Sequence, residues 1–105
     1  KTLGRRKGAA RPWLGVYSEE LRQHVVVTQV LRDSPAERGG VKRGDIILAI
    51  GGQAIGTQAD FYRTLWASGA AGSQITLQIW RAKSVRELNV RSIDRMEYLR
   101  PSLQS

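Results

Sequence analysis

The chain has 105 residues, 41% of them hydrophobic, enough to bury one core and too few for two, so a single domain is expected. Seventeen Lys and Arg against nine Asp and Glu leave a formal charge of +8, and the absence of cysteine excludes disulfide scaffolds, structural zinc and thiol nucleophiles together. Much of the basic excess lies in Lys1, Arg5, Arg6, Lys7 and Arg11, and no aromatic-studded basic sheet for stacking bases is evident, so the charge reads as solvated surface and no nucleic-acid partner is assigned.

Lys1 to Pro12 is rich in Gly, Ala and basic residues without periodicity, and residues 1–12 read as a basic linker. Strand formers around a glycine, Trp13-Leu14-Gly15-Val16-Tyr17, predict a first strand, and the polar stretch Ser18 to Gln23 predicts a loop after it. The β-branched run His24 to Leu31 predicts a central strand. Ser34-Pro35-Ala36-Glu37-Arg38-Gly39 then supplies an N-cap, a proline at the first helical position and a terminating glycine, the signals of a short helix. Gly44-Asp45 marks a turn into the apolar strand Ile46 to Ile50, which Gly51-Gly52 closes. Thr57 is placed to cap a helix in which Phe61, Tyr62, Leu65 and Trp66 recur at helical spacing before Gly69. Ile75, Leu77 and Ile79 alternate with polar neighbours and, after a turn at Arg81 to Ser84, Val85 to Ile93 completes a closing hairpin. Residues 95–105 form a polar tail, in which Met96, Tyr98 and Leu99 are candidates for docking on the body. No apolar run reaches the ~20 residues of a membrane-spanning helix, so no direct membrane insertion is expected.

The order of strand, strand, short helix, strand, main helix and two strands predicts an α+β, mainly β fold: a partly open antiparallel barrel capped by one main and one short α-helix. Such a barrel leaves an edge. Where a helix lies beside that edge, the gap accepts an extended peptide as an added strand, whose main chain satisfies the unpaired N–H and C=O groups.

Ser34-Pro35-Ala36 followed by Gly40-Val41-Lys42-Arg43-Gly44-Asp45-Ile46-Ile47 resembles the core signature of PDZ domains, and the resemblance covers roughly Arg11 to Ile93. The element order, together with Ala59 to Trp66 and Val90 to Arg95, resembles the PDZ domains of bacterial HtrA-like, trypsin-type serine proteases. In that family the loop that holds a peptide carboxylate lies near the N-terminus, and Trp13-Leu14-Gly15-Val16 stands in its place, directly after a basic linker. By residue pattern alone, Trp13 and Leu14 read equally well as core residues and Gly15 as an ordinary turn. The resemblance implies instead that the main-chain amides of Leu14, Gly15 and Val16 bind a carboxylate, with Trp13 in the loop and Arg11 adding charge. It also implies a groove formed by Tyr17 and Ser18 on the strand side and Gln58, Tyr62, Leu65 and Trp66 on the helix side.

What the resemblance implies as a whole is a PDZ domain over residues 13–94 that recognises hydrophobic C-termini of unfolded or processed proteins by strand addition. Such a domain recruits substrate to an attached serine protease domain or regulates it, in the periplasm or cell envelope. The fragment itself is expected to be non-catalytic. His24 is the only histidine and no Gly-x-Ser-x-Gly motif accompanies it, so no nucleophile, base and acid are assembled. One histidine with scattered carboxylates has no metal-ligand spacing, and Gly39-Gly40 and Gly51-Gly52 match no phosphate loop, so neither metal nor cofactor is assigned. Three alternatives stay open. The domain is a spacer or oligomer contact whose groove is filled by its own tail, Tyr98 to Ser105, or blocked by Trp66; it is the PDZ domain of another envelope protease or secretion component; or it binds anionic surfaces through its charge.

Overall fold

The computed structural model describes residues 11–96 and 98; most of the basic linker, and tail positions 97 and 99–105, lie outside the described residues. Six strands and two helices follow in the order β1 (Val16–Leu21), β2 (His24–Val30), α1 (Pro35–Gly39), β3 (Ile46–Ile50), β4 (Gln53–Ala54), α2 (Gln58–Ala67), β5 (Gln74–Arg81) and β6 (Ser84–Arg91). All pairings are antiparallel, in the order β1-β2-β3-β5-β6 with β4 on β3, and the sheet does not close. It is the expected architecture, with β1 left at one edge.

The core forms where strand alternation points apolar side chains inward. Val25 and Val27, Ile47 and Ile50, and Ile75, Leu77 and Ile79 meet Phe61 and Leu65 of α2, with Leu14 and Ala36 closing the side near the N-terminus. Each large aliphatic or aromatic side chain so removed from water contributes roughly 1.5–3 kcal/mol, which is why α2 is bound to this sheet despite being only ten residues long.

Both helices start where local chemistry dictates. Ser34 Oγ accepts the Glu37 amide at 3.2 Å and Glu37 Oε1 accepts the Asp33 amide at 2.6 Å, while Thr57 Oγ1 accepts the Asp60 amide at 3.0 Å. The left-handed residue that stops α1 is Gly40, at φ 96°, one position later than the sequence suggested.

Three further differences concern strands. Ser18 to Leu21, expected as loop, continue β1 as an edge strand; Gln53–Ala54 add the short β4; and the last strand ends at Arg91, with Ile93 joining Trp13 in an isolated bridge. The β1–β2 and β5–β6 hairpins turn on Arg22-Gln23 and Ala82-Lys83, all four at positive φ, as tight two-residue turns demand.

An ion pair between the buried Asp45 and the partly exposed Arg81 joins the turn before β3 to the end of β5. Arg81 donates from Nε and Nη2 to the two oxygens of Asp45 at 2.8 and 2.7 Å, and from Nη2 to the Gly40 carbonyl at 2.6 Å. Asp45, 1% exposed, also accepts the Lys42 amide at 2.8 Å. The hydrogen bonds to Asp45 raise the Arg81 pKa above its ordinary value, against an opposing effect of burial.

Candidate peptide groove

Trp13 to Val16 form a loop whose first three carbonyls are turned into the protein. The Trp13 carbonyl accepts from Ile93 N at 3.2 Å, that of Leu14 from Ala36 N at 2.8 Å, and that of Gly15 from Leu31 N at 2.9 Å. In a trans peptide the N–H of the next residue points opposite to the carbonyl, so the amides of Leu14, Gly15 and Val16 are turned away from these anchors. Neither the Leu14 nor the Gly15 amide meets an acceptor among the described residues.

Gly15 makes this turn possible. Its φ is 86°, and a Cβ there would lie 2.3 Å from Ser34 Cβ and 2.9 Å from Ser34 Oγ. The buried N-cap of α1 is thus pressed against the loop, and no larger residue fits between them.

Between this loop and α2 lies a cavity of about 100 Å³, mostly apolar, walled by Pro12 to Val16 on one side and by Phe61, Tyr62, Leu65 and Trp66 on the other. Phe61 and Leu65 are buried and belong also to the core, whereas Tyr62 and Trp66 are partly exposed. The three aromatic rings of α2 follow one another, at 5.0 Å from Phe61 to Tyr62 and 5.4 Å from Tyr62 to Trp66. Arg11 lays its guanidinium 4.1 Å over the Trp66 ring, a cation–π contact that joins the chain entering the loop to the helix.

Farther along the same gap, β1 and α2 are tied by Gln58, the first residue of the helix. Its Nε2 donates to the Ser18 carbonyl at 2.9 Å, its Oε1 accepts from Ser18 Oγ at 2.8 Å, and its amide donates to Glu20 Oε1 at 2.9 Å. The Ser18 carbonyl therefore faces α2 rather than β2. The β1–β2 register agrees, since a two-residue hairpin closing on Leu21 and His24 leaves the main chain of Glu20 and Ser18 directed outward.

Of the residues singled out from sequence, Trp13, Leu14, Gly15, Val16, Tyr62, Leu65 and Trp66 come together around the cavity. Arg11 stacks on its rim residue Trp66, and Ser18 and Gln58 meet one another in the gap. Tyr17 is not brought there: it pairs with Gln29, is 56% exposed, and lies next to an irregularity in the β1–β2 register between Tyr17 and Ser18. Sequence reasoning missed Pro12, assigned to the linker, and Glu20, placed in a loop; no local signal marks Glu20, which lies 38 residues from Gln58 in sequence. His24 is exposed, with Nδ1 3.0 Å from the Arg22 carbonyl, remote from the cavity lining.

The profile of the PDZ domain family matches residues 12–91. The chain belongs to the PDZ domain family. This PDZ domain is 32% identical over 76 residues to the serine protease Do-like HtrB of Bacillus subtilis, a match covering 72% of this chain and 17% of that protein. It is 33% identical over 93 residues to a probable periplasmic serine endoprotease, DegP-like, of Pseudomonas fulva, covering 77% of this chain and 19% of that one. The chain thus spans less than a fifth of the length of these relatives. Among solved structures, an HtrA-type protease AlgW with decapeptide superposes with a TM-score of 0.72 at 27% identity, over 79% of this chain and 29% of that one. The HtrA3 PDZ domain bound to a phage-derived ligand shares the fold at a TM-score of 0.67 and 17% identity, over 78% of this chain and 85% of that one. The domain is therefore a PDZ module of the HtrA and DegP-like kind, a non-catalytic unit.

Proposed function

We propose that this PDZ domain binds the free C-terminus of partner polypeptides, taking a hydrophobic last side chain into the cavity and adding the preceding residues as a strand beside β1. The observation that carries the reading is the pair of amides at Leu14 and Gly15 that meet no acceptor among the described residues, over an apolar cavity of about 100 Å³. A carboxylate is the group such amides favour, through charge-assisted hydrogen bonds, and Arg11, stacked on Trp66 at the cavity rim, supplies a cation nearby. The related AlgW structure was obtained with a decapeptide, which supports a peptide as the guest. Partners of this description are C-termini of unfolded or processed proteins.

The test compares one peptide ending in a hydrophobic residue with its C-terminally amidated form, by calorimetry. The free acid is expected to bind with an affinity on the order of micromolar, roughly 8 kcal/mol, and the amide at least about tenfold more weakly, or 1.4 kcal/mol. Equal affinities overturn the carboxylate assignment.

Relatives named as serine proteases support a longer parent in which the domain recruits substrate to a protease domain or regulates it, and the periplasmic names among them support the cell envelope as its place. Sequencing the region upstream of Lys1 tests this: a His, Asp and Ser set is expected there, and its absence would refute the protease parent.

A further inference from the structure

We infer that the segment after β6 is a brace for the carboxylate loop, with Tyr98 as a positioning residue that determines how well the loop holds a chain end. The inference rests on the peptide-binding reading above and adds to it the element that keeps the loop in shape.

Two separate paths lead from Tyr98 to Gly15. Along the first, the Tyr98 ring packs on Trp13, with centroids 4.7 Å apart and planes tilted by 50°. The same indole lies beside the loop, with Trp13 Cη2 3.3 Å from the point a Gly15 Cβ would occupy. Along the second, the Tyr98 hydroxyl donates to the Arg32 carbonyl at 2.7 Å, and the neighbouring Leu31 amide holds the Gly15 carbonyl at 2.9 Å. That last bond is the one that turns the Val16 amide outward.

The segment is itself fixed at its start. Ile93 and Trp13 exchange two hydrogen bonds, and Asp94 accepts the Met96 amide at 2.9 Å, opening the turn that carries Tyr98 back over the indole. The loop is thus held from behind by residues that follow the last strand. Because coupling between two sites is reciprocal, a chain end seated on the loop also holds Tyr98 in place.

The test uses the 105-residue chain with Tyr98→Ala and Tyr98→Phe, and the free and amidated peptides described above. In Tyr98→Ala the ratio of the two affinities is expected to fall by about fivefold or more, with the amidated peptide binding as before. Tyr98→Phe keeps the ring packing and loses only the hydroxyl bond, so it is expected to restore most of the ratio. A residue that served stability alone would lower the unfolding midpoint and leave the ratio within about twofold of the parent, which would overturn the inference. Backbone order parameters at Leu14, Gly15 and Val16, measured without peptide, give a second readout and are expected to drop in Tyr98→Ala. Unchanged order parameters also overturn the inference. If the unsubstituted chain binds both peptides equally, the carboxylate reading fails whatever Tyr98→Ala does, and the order parameters alone then decide whether Tyr98 braces the loop.

Discussion

At the scale of single residues, the loop depends on Gly15 for two separable reasons. Its φ of 86° penalises any side chain by roughly 1–2 kcal/mol, and its Cβ position is occupied by Ser34, a buried cap that cannot withdraw without undoing α1. Gly44 shares the first property, at φ 93°, but has open space around it. Gly15→Ala is therefore expected to cost more than Gly44→Ala, by about 2 kcal/mol in urea unfolding, and to abolish measurable peptide binding, which Gly44→Ala leaves intact. Equal costs would mean that backbone strain alone explains the glycine.

At the scale of elements, the helices were legible and the first strand only at its start, Val16 and Tyr17, while Ser18 to Leu21 read as loop. Ser34 and Thr57 announce α1 and α2 because a cap acts over three residues, and those contacts are the ones observed. β1 gave no such signal beyond Tyr17. Its inward face meets the polar Gln58 rather than a hydrophobic core and its outer face meets solvent, so Ser18, Glu19 and Glu20 carry no apolar alternation to read. Tyr17 pairs with Gln29, and the register irregularity after it, which no sequence signal marks, decides which main-chain groups of β1 face α2.

The same contact has a consequence for binding. Gln58 occupies the Ser18 carbonyl, an acceptor that an added strand would use, so guest and side chain compete for it. For a peptide with alanines before its last residue, Gln58→Ala is expected to strengthen binding by about threefold to tenfold, the size of one or two net hydrogen bonds, as measured by calorimetry. Weaker binding would instead mean that Gln58 contacts the guest.

At the scale of the whole molecule, the pair of Asp45 and Arg81 connects the β5–β6 hairpin to the turn before β3, across 36 residues of sequence. Nothing in local patterning marks it, since Asp45 reads as a turn residue and Arg81 as one more surface cation among seventeen. Removing Arg81 leaves the buried Asp45 carboxylate without its cation, and Arg81→Ala is expected to destabilise the domain by about 3 kcal/mol in urea unfolding while leaving peptide affinity unchanged. Because the folded-state pKa of Arg81 is raised, its share of stability is complete below the ordinary guanidinium range and is lost only as pH climbs beyond it. A mild alkaline titration should therefore leave the pair intact. The loop that is proposed to grip a chain end has a different standing in the molecule. Its donors are backbone amides, aimed by backbone carbonyls that other backbone amides hold, so they are common to every sequence that threads this path. Substitutions along α2 can retune which terminal residue is preferred without touching the hook itself, so one scaffold can drift among targets while its demand for a terminus persists.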